Sequence, residues 1–247
     1  MSKTRLRIHF TKQGDLRWIG HRDLARVWER LLRRADLQLA FSEGFHPKPR
    51  ISFPSALALG IEALNEVVEL EIVGEFSLDD IEGRIREQMP EGMQLLNLQS
   101  PQYKLGKAKV ESAQYSVEID PAQQSELAQR IDEVLRAGMI EVERDQKKTI
   151  TCDTNSEYFA LRLDDGKLYF DLPVTDGAML RPSELLEHLG LGDLLESGTT
   201  LVRTQVVLRP PESKTNKTIS SRDERAEAEQ VASVPKQNNA SPNSGDG

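Results

Sequence analysis

Apolar residues near the start of the chain change their spacing, and that change dictates a helix packed on a sheet. Leu6, Ile8 and Phe10 alternate with Arg5, Arg7 and His9, the pattern of a strand buried on one face. Lys12-Gln13-Gly14-Asp15 reads as a turn. Beyond it, Leu24, Val27, Trp28, Leu31, Leu32 and Ala35 recur at helical spacing. That stripe predicts a helix from about Gly20 to Ala35. Arg22, Arg26, Arg30 and Arg33 fall on its opposite side, with Arg34 at the margin.

Further along, strands are predicted at Leu37 to Ser42, Arg50 to Phe53 and Glu66 to Val73. Ser77 is a plausible N-cap for a helix reaching about Met89, with Asp79 and Asp80 favouring its start. Met93 to Leu98 is the next strand. The order strand, helix, strand, strand, helix, strand over residues 4–99 is that of a split-βαβ, ferredoxin-like unit. Residues 100–112 read as a connector. A second half follows, with strands at Tyr115–Ile119, Ile140–Arg144, Thr149–Thr154, Tyr158–Leu163, Lys167–Leu172 and Leu201–Leu208. Its helices are expected at Pro121–Ala137 and Pro182–Leu189, each with proline in the first turn. Asp164-Asp165-Gly166 marks a hairpin. The expected fold class is therefore α+β: two ferredoxin-like halves with antiparallel sheets, 1–105 and 106–210, the second elaborated. Residues 211–247 are rich in Ser, Asn, Lys, Glu and Pro and poor in apolar groups, so a disordered tail is expected there, with a short helix at Arg222–Val231 as an option.

Several function classes are excluded early. The single cysteine, Cys152, rules out a disulfide framework and any multi-thiolate metal site within this chain. No apolar run approaches the ~20 residues of a membrane-spanning helix, and the N-terminus has no signal-peptide core. A cytoplasmic location is the expectation. Neither a P-loop nor a dinucleotide fingerprint nor Gly-x-Ser-x-Gly is present. No cofactor, no metal site and no catalytic residue is expected.

Charge is uneven along the chain. Residues 1–60 carry 12 Lys and Arg against five Asp and Glu, whereas residues 61–210 carry 15 against 29. Phosphate contacts act within about a Debye length of ~8–10 Å, so a local basic face can bind nucleic acid although the net charge is −8. The loop Ser42-Glu43-Gly44-Phe45-His46-Pro47-Lys48-Pro49-Arg50 strengthens this reading. Its prolines make it stiff, and Phe45, His46, Lys48 and Arg50 suit base stacking and phosphate clamping. The competing expectation is a structural crossover in which Phe45 plugs the core. Candidate RNA-binding residues are Arg17, His21, Arg22, Arg26, Arg30, Arg33, Phe45, His46, Lys48, Arg50, Arg181 and Arg203. Arg181 and Arg203, taken alone, read as surface arginines at element ends. Cys152 reads as a packed thiol.

Lys12 through Leu24, Arg33-Arg34-Ala35, Phe41 through Phe53, Ala56-Leu57-Ala58-Leu59-Gly60 and Glu66 together resemble the radical-SAM-linked protein family. The resemblance extends over residues 4 to about 208 and is densest in the first 70. That family is a domain of unknown function found beside, or fused to, radical SAM proteins. The present chain lacks the cluster-binding Cys-x-x-x-Cys-x-x-Cys motif, so the resemblance implies a radical SAM partner in trans. It carries Gly20 where the family has serine ahead of the helical histidine.

The leading expectation is a non-catalytic accessory or substrate-recognition module that works with a radical SAM enzyme and binds RNA. One alternative is a metal-independent endoribonuclease with His21 or His46 as general acid–base, by fold-level analogy with CRISPR RNA-processing nucleases. Another is a protein–protein scaffold whose acidic second half docks a basic partner.

Overall fold

Strand β1 (Lys3–Lys12) buries Leu6, Ile8 and Phe10 on one face, as its alternation requires. The computed structural model describes residues 3–101, 107–144, 148–175 and 178–210. The tail from 211 and the residues around the predicted boundary at 105/106 lie outside them, apart from 101 and 107 onward.

Helix α1 (His21–Arg34) follows a short 3-10 turn and starts at Gly20, which caps it without a side chain. Next come β2 (Gln38–Leu39), β3 (Ile51–Ser52), β4 (Glu62–Val73), α2 (Leu78–Gln88) and β5 (Leu95–Gln99). Ser77 caps α2 by accepting a hydrogen bond from the Asp80 amide at 3.1 Å. Strand β4 pairs antiparallel with β1, which in turn pairs with β5. Both β2 and β3 pair with the far end of β4, so they occupy one ladder position interrupted by an excursion. The resulting order, β5-β1-β4-(β2, β3), is the split-βαβ arrangement.

Register explains the alternation of β1. Leu6 stands opposite Leu70 and Ile8 opposite Val68, and this face packs on Leu24, Trp28, Leu31 and Leu32 of α1 and Ile81 and Ile85 of α2. On the other face Arg7 stands opposite Glu69 and Arg5 opposite Glu71. Arg7 donates to Glu69 at 2.8 and 3.0 Å, and Arg5 to Glu71 at 3.4 Å.

The later residues supply β6 (Val110–Glu118), α3 (Pro121–Ala137), β7 (Met139–Arg144), β8 (Lys148–Asp153), β9 (Ala160–Asp164), β10 (Lys167–Thr175), β11 (Ala178–Met179), α4 (Pro182–His188) and β12 (Val202–Leu208). Strand order β9-β10-β6-β12, antiparallel throughout, matches that of the first half. Hairpin β7–β8 is the inserted elaboration, forming its own two-stranded sheet. The β9–β10 turn has Asp165 and Gly166 both at positive φ, 46° and 72°, as the Asp-Gly pair predicts.

Two differences from the sequence expectation are instructive. Strand β6 begins at Val110 rather than Tyr115, taking over the end of the supposed connector, because Val110, Ala113, Tyr115 and Val117 all bury. Strand β4 begins at Glu62, four residues early, where it gains a parallel neighbour: Val202 opposite Glu62 and Arg203 opposite Ala63. This β4–β12 contact joins the two halves into one ten-stranded, mostly antiparallel sheet. Residues up to Pro210 form a single compact unit. Among the described residues there are four α-helices, and none is long and apolar enough to cross a membrane.

Candidate nucleic-acid interface

Residues 41–49 leave the sheet edge as a closed excursion. Ala40 and Arg50 flank Glu71 of β4: the Ala40 amide donates to the Glu71 carbonyl, and the Glu71 amide to that of Arg50. Arg50 also donates its amide to the Ala40 carbonyl at 2.8 Å, Phe41 and Pro49 form a bridge, and the Ser42 amide donates to the Lys48 carbonyl at 2.9 Å. Ser42 Oγ accepts from the Lys48 amide, also at 2.9 Å. The base is thus locked while the tip, with Gly44 at φ +118°, is pushed into solvent.

At that tip Phe45 is fully exposed, with a relative accessibility of 102%. It is not a core plug; the aromatic packing of the first half comes from Phe10, edge-on to Trp28 at 5.1 Å and to Phe53 at 6.5 Å. His46 and Lys48 are exposed beside it. The loop base meets helix α1 in a hollow of about 500 Å³ lined by Glu29, Arg33, Asp36, Phe41 and Pro49 among others. The aromatic loop and one edge of the arginine-bearing helix are therefore neighbours.

Arg22, Arg26, Arg30 and Arg33 are all exposed on α1. Arg26 makes a surface ion pair with Asp23 at 3.0 Å, an interaction worth little in water. His21, the first residue of α1, is exposed, and its ring stands edge-on to Phe53 at 5.1 Å. Arg17 is half-buried, with its guanidinium 4.9 Å from the Trp18 ring centre and 3.8 Å from Glu62. Arg50 is half-buried too, 3.6 Å from Glu71.

Arg181 and Arg203 sit elsewhere. Arg181 precedes α4, and its exposed guanidinium is 3.8 Å from Glu184. Arg203 is not a surface arginine. It is 1% exposed and paired with Glu66, itself 0% exposed. It also donates to Ser55 Oγ at 3.0 Å and to the Ala56 carbonyl at 3.1 Å. Burial follows from its place on β12, between β4 and β6 in the joined sheet. Lys12, 1% exposed, donates to the carbonyls of Arg17 and Ile19 at 3.2 Å each. Burial pushes its pKa down to about 8, against the pull of Glu66 and together with repulsion from Arg203. Tyr115 stacks on Phe170 at 5.2 Å; burial raises its phenol pKa, while the adjacent Arg203 opposes the rise.

This buried cluster of Lys12, Glu66, Arg203 and Tyr115 escapes sequence reasoning, because its members come from four strands. Glu66 gives no distinct local signal, since β4 also carries Glu62, Glu69 and Glu71. Cys152 is buried, and burial together with Asp153 pushes its thiol up to about 11, as befits a packed cysteine.

No curated protein matches this chain. Solved structures resemble it weakly. An unknown protein from Galdieria sulphuraria has 8% identity and a TM-score of 0.28, covering 85% of this chain and 100% of that one. The small subunit of acetolactate synthase from Thermotoga maritima has 9% identity and a TM-score of 0.27, covering 86% and 99%. A putative glycine cleavage system transcriptional repressor has 10% identity and a TM-score of 0.24, covering 85% and 99%. At such scores the architecture rests on the strand order above. The sequence pattern is more telling: over residues 5–182, from β1 to the first residue of α4, the chain belongs to the bacterial family described as uncharacterized protein conserved in bacteria (DUF2344).

Proposed function

We propose that this protein is a non-catalytic RNA-recognition module that serves a radical SAM protein supplied in trans. One observation carries the RNA part: a hydrogen-bonded loop holds Phe45 wholly in solvent, flanked by His46 and Lys48, next to a helix whose outer side bears four exposed arginines. An exposed phenylalanine on a stiff support pays little ordering entropy when a base stacks on it. Arginines along the helix supply the phosphate contacts. The radical SAM partner is supported by the family resemblance of the Lys12–Leu24 and Phe41–Phe53 segments. The ring contact of His21 is the edge of Phe53 rather than an orienting carboxylate, which favours binding over general acid–base chemistry.

The test is fluorescence anisotropy with a labelled single-stranded RNA over a series of salt concentrations. Binding should weaken linearly on a log–log plot, with a slope of about −0.7 per phosphate neutralised. Phe45→Ala should weaken it by ~1–3 kcal/mol. Affinity that is unchanged in Phe45→Ala, or absent in the wild type, would overturn the reading and turn attention to Phe45 as a protein-docking residue.

A further inference from the structure

The junction of the two halves contains a cavity of about 1020 Å³, separate from the loop and arginine helix just described. Its apolar walls include Leu57 and Ile61 from the segment leading into β4, Val110 of β6, Val174 of β10, Leu180 and Leu201. Its polar groups are strongly biased in sign. Lys109, Arg181, Arg203 and Arg209 all line it, and among the described residues no carboxylate does. That bias is unexpected in a part of the chain where acidic residues outnumber basic ones 29 to 15.

Three further observations point the same way. Arg203 reaches this cavity, yet its Nε–H is buried with no hydrogen-bond partner. A buried charged donor left unpaired is costly and marks a place for a missing acceptor. Behind it, Lys12 and Arg203 share the single buried carboxylate of Glu66, so the cluster holds more positive than negative charge whenever Lys12 is protonated. Tyr115 also lines the cavity, and its hydroxyl, a neutral donor, is adjacent to the Arg203 guanidinium. Volume, apolar walls and a few convergent polar groups are the attributes of small-molecule sites.

We infer that the cavity at the β4–β12 junction binds a small organic anion, with its acidic head toward Arg203 and Tyr115 and its apolar body against Leu57, Val110, Val174 and Leu201. The head is a carboxylate or a phosphate; both accept from a guanidinium and a phenol. Arg181 and Lys109, exposed at the rim, attract the anion and hold it at entry.

The experiment uses the full chain and anilinonaphthalene sulfonate, a fluorescent probe with an aromatic body and one anionic group. One probe per chain should bind, with near-ultraviolet circular dichroism unchanged so that partial unfolding is excluded. Octanoate and octyl phosphate should displace it, and octanol should need at least about tenfold more. Whichever acid acts at the lower concentration identifies the head group. Lys109→Ala combined with Arg181→Ala should weaken the probe about tenfold without altering thermal stability. Ala108→Trp, which puts a bulky ring on the cavity wall, should abolish binding. RNA affinity, read in parallel, should stay the same in these variants, so the two readings fail independently. Equal displacement by octanol, or full probe affinity in both variants, would overturn the inference.

Discussion

Arg203 on β12 donates to Glu66 on β4 across 137 positions of sequence, and both side chains are fully buried at the seam between the two halves. On the parallel ladder Arg203 stands opposite Ala63, three residues before Glu66. It couples the last strand of the second half to the third ladder position of the first, so the halves are joined by chemistry as well as by backbone pairing.

Breaking this pair on one side should be severe. Glu66→Gln leaves Arg203 and Lys12 without their shared carboxylate, and a cost of about 3–5 kcal/mol is expected. Replacing Lys12 and Arg203 by Met in the same protein should recover most of it, since well-packed apolar groups substitute for buried ions without large loss. Urea denaturation of the single and triple variants reads both outcomes.

The pH dependence of stability follows from Lys12. Its pKa falls from 10.5 in the unfolded chain to about 8 in the folded one, because burial disfavours the charged form. Below pH 8 both states hold the proton. Above it the folded state releases the proton first, so stability rises with pH until the unfolded lysine also titrates. From 9.0 upward Cys152 opposes the trend, since its thiol is raised to about 11 in the fold. Between pH 8 and 9, wild-type melting temperature should therefore rise relative to that of Lys12→Met. Parallel curves for the two proteins would refute this assignment.

Phe45→Ala separates surface from core. Truncating a buried phenylalanine costs ~3–5 kcal/mol. Phe45 is fully exposed, so its removal should leave stability within about 0.5 kcal/mol while weakening RNA binding. Measuring unfolding and affinity on the same preparation distinguishes the two.

The arginine helix should govern salt dependence rather than base stacking. Replacing Arg26 and Arg30 by Ala should reduce the log–log salt slope by about 1–2 and leave the fold intact, because both side chains are exposed. Phe45→Ala should change the slope far less. An unaltered slope in the arginine variant would remove α1 from the interface.

Gly92 offers a backbone test. It lies at φ +82°, and a Cβ there would come within 2.5 Å of the Gln13 carbonyl oxygen. Its own carbonyl accepts from the Gln13 amide at 2.8 Å, tying the turn before β5 to the end of β1. Gly92→Ala should destabilise by more than the ~1 kcal/mol typical of a positive-φ glycine alone, measurable by thermal unfolding.

Local pattern was enough for most of the elements. The stripe from Leu24 to Ala35 marked α1, Pro121 marked the start of α3, Ser77 announced α2, and Asp165-Gly166 the β9–β10 turn. These depend on backbone preferences and on burial of one face, which a few consecutive residues encode. The order of elements also carried the split-βαβ plan, and the loop from Ser42 to Arg50 was visible as stiff and basic. Tertiary structure alone decided that Phe45 faces solvent, that β2 and β3 share one ladder position, and that β12 runs parallel to β4. Those choices depend on which distant strand offers a free edge, and no local spacing records that. The burial of Arg203 follows from the same pairing: an arginine at the start of a strand is ordinary surface until another strand brings it a carboxylate. The cavity beside it exists only because the two halves of the sheet meet at that seam.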